Sequence, residues 1–214
     1  MIPSSPSDLA AWTELWRELK ATGDAARWHA RLLEGWADPA RRYHDRRHLE
    51  ECLVELDRSR PLAANPARVA AALWFHDVIY DPRSSSNEED SATLATQCLR
   101  GAGVGIETVE TVNQLILCTK SHAPGAVVDA PLLIDIDLAI LGQPPARFWE
   151  YERDIRAEYA WVPAAAFREK RADILTRFLA RPSLYHTEAF RRRYETAARA
   201  NLQAAIARLL APSS

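Results

Sequence analysis

The chain has 214 residues, with 27 Lys and Arg against 29 Asp and Glu and a net charge of −2 when histidine is neutral. At 48% hydrophobic and 26% charged residues the composition is that of an ordinary globular protein. It excludes a disordered, collagenous or coiled-coil fibre chain and is enough to bury one core without staples. No basic excess offers a field for nucleic acid, so no nucleic-acid partner is expected. The three cysteines, Cys52, Cys98 and Cys118, form no CxxC pair, and they read as buried small hydrophobes of a reducing compartment. The first residues lack a basic segment followed by an apolar one, and no apolar run is long enough to span a bilayer. The expectation is a cytoplasmic protein with no membrane partner.

Glycine is scarce, seven residues in all, while Ala, Leu, Arg and Glu abound, so helix formers dominate throughout. Segment 8–20 opens on Asp8 and repeats Leu9, Trp12, Leu15, Trp16 and Leu19 at spacings of three and four, an amphipathic helix. Segments 24–36 and 46–58 carry the same period through Trp28, Leu32, Leu33 and Trp36 and through Leu49, Leu53 and Leu56. Pro66 suits the first turn of a nearly unbroken apolar helix over 66–79, the expected centre of the core. The polar stretch DPRSSSNEEDS then feeds a capped helix through Leu94, Cys98 and Leu99, closed by Gly101, Gly103 and Gly105. GAGVG follows no strand and has neither the lysine nor the spacing of a phosphate loop.

A further helix runs through Val109, Val112, Leu115, Ile116 and Thr119 to the HAPG at 122–125. Segment 130–142, APLLIDIDLAILG, fits a strand or a short helix. Two helices split near Pro163 fill 148–179, and an Arg- and Ala-rich helix covers about 187–210. No repeat or linker is found. The expectation is an all-α, single-domain helical bundle over 1–214, with a core of chemistry at 40–142 and helices at 146–210 completing it.

Four of the six histidines have informative neighbours. His44 and His48, four apart in RRYHDRRHLEE, share a helix face and could look into one pocket, or could be two surface residues. His76-Asp77 sits within an apolar helix, where an unpartnered carboxylate is costly; a metal ion, an internal ion pair or a hydrogen bond to a neighbouring Arg would each supply the partner. Asp135 and Asp137 lie among Leu and Ile at a spacing of two. They point in different directions, so one faces a site and the other braces it or, for Asp135, caps a helix. His48, His76, Asp77 and Asp137 make a mixed N/O set that leaves coordination positions open. Such a set suits Mn, Fe, Co, Ni or Zn, or Mg with retained waters.

These residues resemble the HD-domain superfamily of metal-dependent phosphohydrolases, which carries an ordered His…His-Asp…Asp set on a helical core. The stretches YHDRRHLEECL, WFHDVIYD, NEEDSA, Thr119 with His122, and DIDLAILG are similar to those of predicted bacterial HD phosphohydrolases of similar length. The resemblance implies a helical fold of the HD-domain/phosphodiesterase-like type. It also implies a divalent metal on His48, His76, Asp77 and Asp137, with Asp77 able to bridge to a second ion. The Y-H-x-x-x-H pattern is similar to the cyclic-nucleotide phosphodiesterase version, which implies that His44 is the general acid. The dinuclear branches carry further histidines after the HD dipeptide. None follows here before His122, so His122 and Thr119 are the candidates for a second-ion or phosphate contact, or else a polar helix end.

Glu88 and Glu89 could support the site from behind its ligands or simply open a helix. Of Arg41, Arg42, Arg46 and Arg47, Arg47 is the residue favoured for substrate phosphate. Trp149, Tyr151, Tyr159 and Trp161 could wall a pocket or form an aromatic core patch. Arg191 to Arg193 read as a solvated face. The expected activity is hydrolysis of a phosphate ester of a small molecule, such as a nucleotide, by a metal-activated water with His44 protonating the departing oxygen. The alternative is a catalytically silent metal- or ligand-binding module on the same fold. The sequence leaves homo-oligomer formation open.

Overall fold

The computed structural model describes residues 5–211. Among them are ten α-helices, two short 3-10 segments and no strand, so the all-α expectation holds. The chain divides into two compact units, the first ending at Ile136 and the second beginning at Asp137.

The first unit contains α1 (Leu9–Glu18), α2 (Ala25–Trp36), α3 (Arg46–Ser59), α4 (Pro66–Phe75), α5 (Asn87–Gly101), α6 (Ile106–Thr119) and all but the last residue of α7 (Ala130–Asp137). Four of these helices start at a side chain that the sequence supplies for the purpose. Asp8, Asp24, Asp45 and Asn65 each accept a backbone N–H of the first turn, which otherwise has no partner inside the helix. Helix α4 is central and packs on α1, α3, α5 and α6. Ala71, Ala72, Leu73, Trp74 and Phe75 are all buried. Trp12 of α1 meets Trp74 edge-on at 5.0 Å and Phe75 at 6.3 Å, an aromatic seam between two helices.

Helix α4 ends earlier than its apolar run predicts, at Phe75 instead of near Ile79. The terminal carbonyls find other donors. Leu73 O accepts from His76 Nδ1 at 2.8 Å, Trp74 O from Trp36 Nε1 at 3.0 Å, and Phe75 O from the Val78 N–H at 3.1 Å. Arg41, buried despite its charge, donates to the Asp77 and Val78 carbonyls at 2.6 and 2.8 Å. The His76-Asp77 pair therefore sits on a turn at the end of α4 and not inside a helix, as its apolar surroundings had implied. Gly35 lets α2 approach that turn, because a Cβ there would lie 2.8 Å from Val78 O and 2.9 Å from Val78 Cγ2.

Segment 130–142 takes the helical alternative as α7 followed by the 3-10 segment Leu138–Gly142. Asp135 is fully buried in the second half of α7, so it is not the cap. Asp129 stands just before the helix, its carbonyl accepting from the Leu133 N–H at 3.0 Å. The Asp129 carboxylate takes the Ala64 and Asn65 N–H groups at 2.7 and 2.8 Å and so fixes the start of α4.

The second unit contains that 3-10 segment and α8 (Pro145–Glu158), α9 (Ala164–Leu179) and α10 (Glu188–Leu210). Helix α10 packs on α9 and on the 3-10 segment. At that seam a Cβ on Gly142 would fall 2.5 Å from Tyr194 Cβ. Asn201 donates to the Leu141 and Gln143 carbonyls at 2.9 Å, and Tyr185 Oη to Leu138 O at 3.1 Å. Arg171 of α9 donates to Tyr151 Oη and to Glu152 of α8, at 2.7 and 2.5 Å.

Candidate metal centre

The centre is built at the end of α4 and the start of α3. Asp45 caps α3 by accepting the Arg47 and His48 N–H groups, and this orients the first turn so that His48 faces inward. The His48 side chain is buried, as is that of Cys52 one turn later on the same face. His76, the cap residue of α4, is also buried. Its Nδ1 lies 2.8 Å from the Leu73 carbonyl, which can only accept. Nδ1 therefore carries a proton, and the neutral form of the ring presents the lone pair of Nε2.

That nitrogen lies 3.1 Å from His48 Nε2. Asp77 Oδ2 is 3.2 Å from His76 Nε2 and 3.8 Å from His48 Nε2. Two imidazoles each about 2.1 Å from one ion stand about 3.0 Å apart at a right angle and about 3.4 Å apart at the tetrahedral angle. The spacing of the two rings thus fits a shared ion. Among the described residues one group of potential ligands forms, His48, Cys52, His76 and Asp137, with one ligand atom of each within 4.8 Å of all the others. Asp137 is the last residue of α7 and is carried there by that helix. The donor set of nitrogen, sulfur and carboxylate oxygen suits a divalent metal.

Around these donors the walls are aromatic. Trp36 packs against the His76 and His48 rings with centroids 5.5 and 6.3 Å away, and Tyr43 against His48 at 4.8 Å. His44 stacks on Tyr80 at 4.2 Å, with its centroid 6.0 Å from that of His48. Arg41 Nη1 also donates to the His44 carbonyl at 3.0 Å. One buried guanidinium therefore ties the loop bearing His44 to the turn bearing Asp77.

The other sequence candidates have their own contacts and settings. Arg47 is exposed and pairs with Glu51 one turn on, at 3.1 Å. Glu88 and Glu89 stand in the first turn of α5, where the helix dipole favours them, and Glu89 pairs with Lys120. Thr119 is buried with its hydroxyl on Ile116 O. His122 follows α6 with φ of +49°, in the left-handed region. Asp135 is fully buried in α7, two residues before Asp137. Of the four aromatics near 150–161, Tyr151 is buried on Phe148 and Arg171 while Trp161 is half exposed. Arg191, Arg192 and Arg193 are exposed, as expected.

Two residues escaped the sequence reading. Cys52 reads in the sequence as a small hydrophobe, although its spacing of four from His48 is a usable signal. Arg41 was one of four similar arginines, and nothing local distinguished the one that is buried. Comparison with family models, with curated proteins and with solved structures returns no match for this chain.

Proposed function

We propose that this protein is a metal-dependent hydrolase of phosphate esters, acting on a small phosphorylated molecule such as a nucleotide. The observation that carries the reading is the 3.1 Å approach of two buried imidazole nitrogens with the Asp77 carboxylate beside both. His48, His76, Asp77 and Asp137 would hold the ion. When bound, a divalent ion supplies a nucleophile from water at neutral pH and offsets charge on phosphoryl oxygens.

The remaining work falls to side chains of this chain. His76 is fixed in its ligand tautomer by Leu73 O. His44, half-buried and held flat against Tyr80, donates a proton to the departing oxygen. Arg41 keeps the His44 loop and the Asp77 turn in register, so that acid and ligands keep their relative positions. Trp36 and Tyr43 keep bulk water from the ring nitrogens.

The test is elemental analysis of wild type and Asp77→Ala purified without chelator, followed by a screen of phosphate esters with the retained metal. Expected are at least one ion per chain in wild type, loss of ion and turnover in Asp77→Ala, and turnover lost with the ion retained in His44→Ala. The loss in His44→Ala should be greatest for esters with poor leaving groups. Wild type that cannot be loaded with any of Mn, Fe, Co, Ni, Zn or Mg refutes the proposal, and an ion bound without turnover of any ester leaves the binding-module alternative.

A further inference from the structure

The group of convergent ligand atoms contains a residue foreign to an all-oxygen and nitrogen set. Cys52 Sγ lies 3.8 Å from both ring nitrogens of His48, and it belongs to the set whose ligand atoms all fall within 4.8 Å of one another. The approach is built into α3, because residues four apart on a helix lie one above the other on the same face. A sulfur about 2.3 Å and an imidazole nitrogen about 2.1 Å from one ion stand between about 3.6 and 3.8 Å apart at angles from tetrahedral to trigonal. The distance from Cys52 Sγ to His48 Nε2 matches that range, but the equal distance to Nδ1 sets the sulfur beside the ring and not beyond Nε2, so the Cys52 side chain has to turn to another rotamer to reach an ion on Nε2.

We propose that Cys52 Sγ is itself a ligand of the ion held by His48 and His76, and that it makes the centre select zinc, cobalt(II) or iron(II) over magnesium and manganese. The inference rests on the metal-centre reading above and adds the chemistry of the ion to it. On binding, the Cys52 S–H bond breaks, its proton leaves to water, and the sulfur electron pair forms the bond to the metal. A thiolate is a soft donor that magnesium and manganese disfavour, while two imidazoles suit the later first-row ions. The surroundings reinforce the choice. Cys52 is 3% exposed, and a thiolate at such a depth is tolerated against a cation and disfavoured without one.

The ligand assignment has an optical signature independent of turnover. Chelator-stripped protein titrated with cobalt(II) is expected to develop visible d–d bands together with a near-ultraviolet sulfur-to-cobalt charge-transfer band. Cys52→Ser should keep the visible bands and lose the near-ultraviolet one. Cys98→Ser, changed at a buried cysteine of α5, should keep both. In competition with a chromophoric chelator, zinc affinity should fall about tenfold or more in Cys52→Ser, while magnesium and manganese affinities stay within about twofold.

Visible bands without the near-ultraviolet band in wild type would overturn the inference and leave the metal centre standing. Retention of no cobalt at all would overturn both together. Because the wild-type spectrum alone distinguishes these outcomes, the experiment stays decisive even where the serine variant fails to fold.

Discussion

The two units bury ionisable groups in opposite ways. In the second, opposite charges meet. Arg171 and Glu152 are each nine-tenths buried or more by side chain and lie 2.5 Å apart, with Tyr151 Oη on the same guanidinium. Burial alone would lower the Arg171 pKa, but Tyr151 and Glu152 overcome it and leave it raised, so the cation is held firmly. The Tyr151 hydroxyl, pushed up chiefly by burial, stays neutral. In the first unit, groups of one kind converge instead. His48, Cys52 and His76 bring potential ligand atoms within 4.8 Å of one another, and the Asp77 carboxylate lies beside both rings. The Arg171 cluster pairs opposite charges, whereas the His48–His76 cluster gathers groups that could hold a cation.

That contrast predicts different costs of cutting each cluster. Arg171→Met strands a buried Glu152 carboxylate and is expected to destabilise by about 3–5 kcal/mol. The double change Arg171→Met with Glu152→Leu should recover most of the loss, since an apolar replacement of both partners is often neutral. Urea midpoints of the two variants decide the matter. A double variant as unstable as the single one would show that the pair is not what holds α8 to α9.

Arg41 is a buried cation of the first unit that donates to three carbonyls, those of His44, Asp77 and Val78. Arg41→Met leaves those carbonyls short of a donor and should cost about 2–4 kcal/mol. It should also weaken metal binding without removing a ligand, because the Asp77 turn loses its tie. Metal affinity unchanged in a destabilised variant would mean that the turn keeps its shape without the guanidinium.

How much of this was legible in the sequence follows from how far each effect reaches along the chain. The capping residues Asp8, Asp24, Asp45 and Asn65 act within three residues, and the helices they start fall close to where the periodicity places them. His76 and Asp77 stood out because polar groups in an apolar setting need a reason, and His48 because it lies four residues from His44. The end of α4 was not legible, because it is set by Arg41 and Trp36 acting across 36 and 38 residues of chain. Asp129 likewise acts across 65 residues on a backbone N–H. None of these residues differs in type from others that lie on the surface.

The histidine cluster has a stability signature of its own. His48→Leu leaves the buried His76 Nε2 without its ring partner at 3.1 Å, and in chelator-stripped protein it should destabilise by about 1–3 kcal/mol. Zinc at about 100 times its dissociation constant should add about 2.7 kcal/mol to wild type and nothing comparable to the variant. Thermal unfolding with and without zinc measures both. Equal stabilisation of the two proteins would place the zinc elsewhere.

Cys98 supplies a third way to bury an ionisable group, which is to keep it neutral. Its side chain is fully buried, and burial pushes the thiol up to about 12, with Arg31 opposing only in part. A thiol whose pKa is higher folded than unfolded binds its proton more tightly in the native state. Between the unfolded value of 9.0 and the folded value of about 12 the unfolded chain releases a proton that the folded chain keeps, so stability falls as pH rises through that window. The contribution is intact below pH 9 and is reduced by about 1 to 2 kcal/mol near pH 10. Cys98→Ala removes the titrating group and with it this slope. Its urea midpoint should therefore fall less than that of wild type between pH 8 and pH 10, whatever the packing cost of the smaller side chain. Parallel pH profiles would show that the thiol ionises in the native state as it does in water, and that its pocket admits solvent.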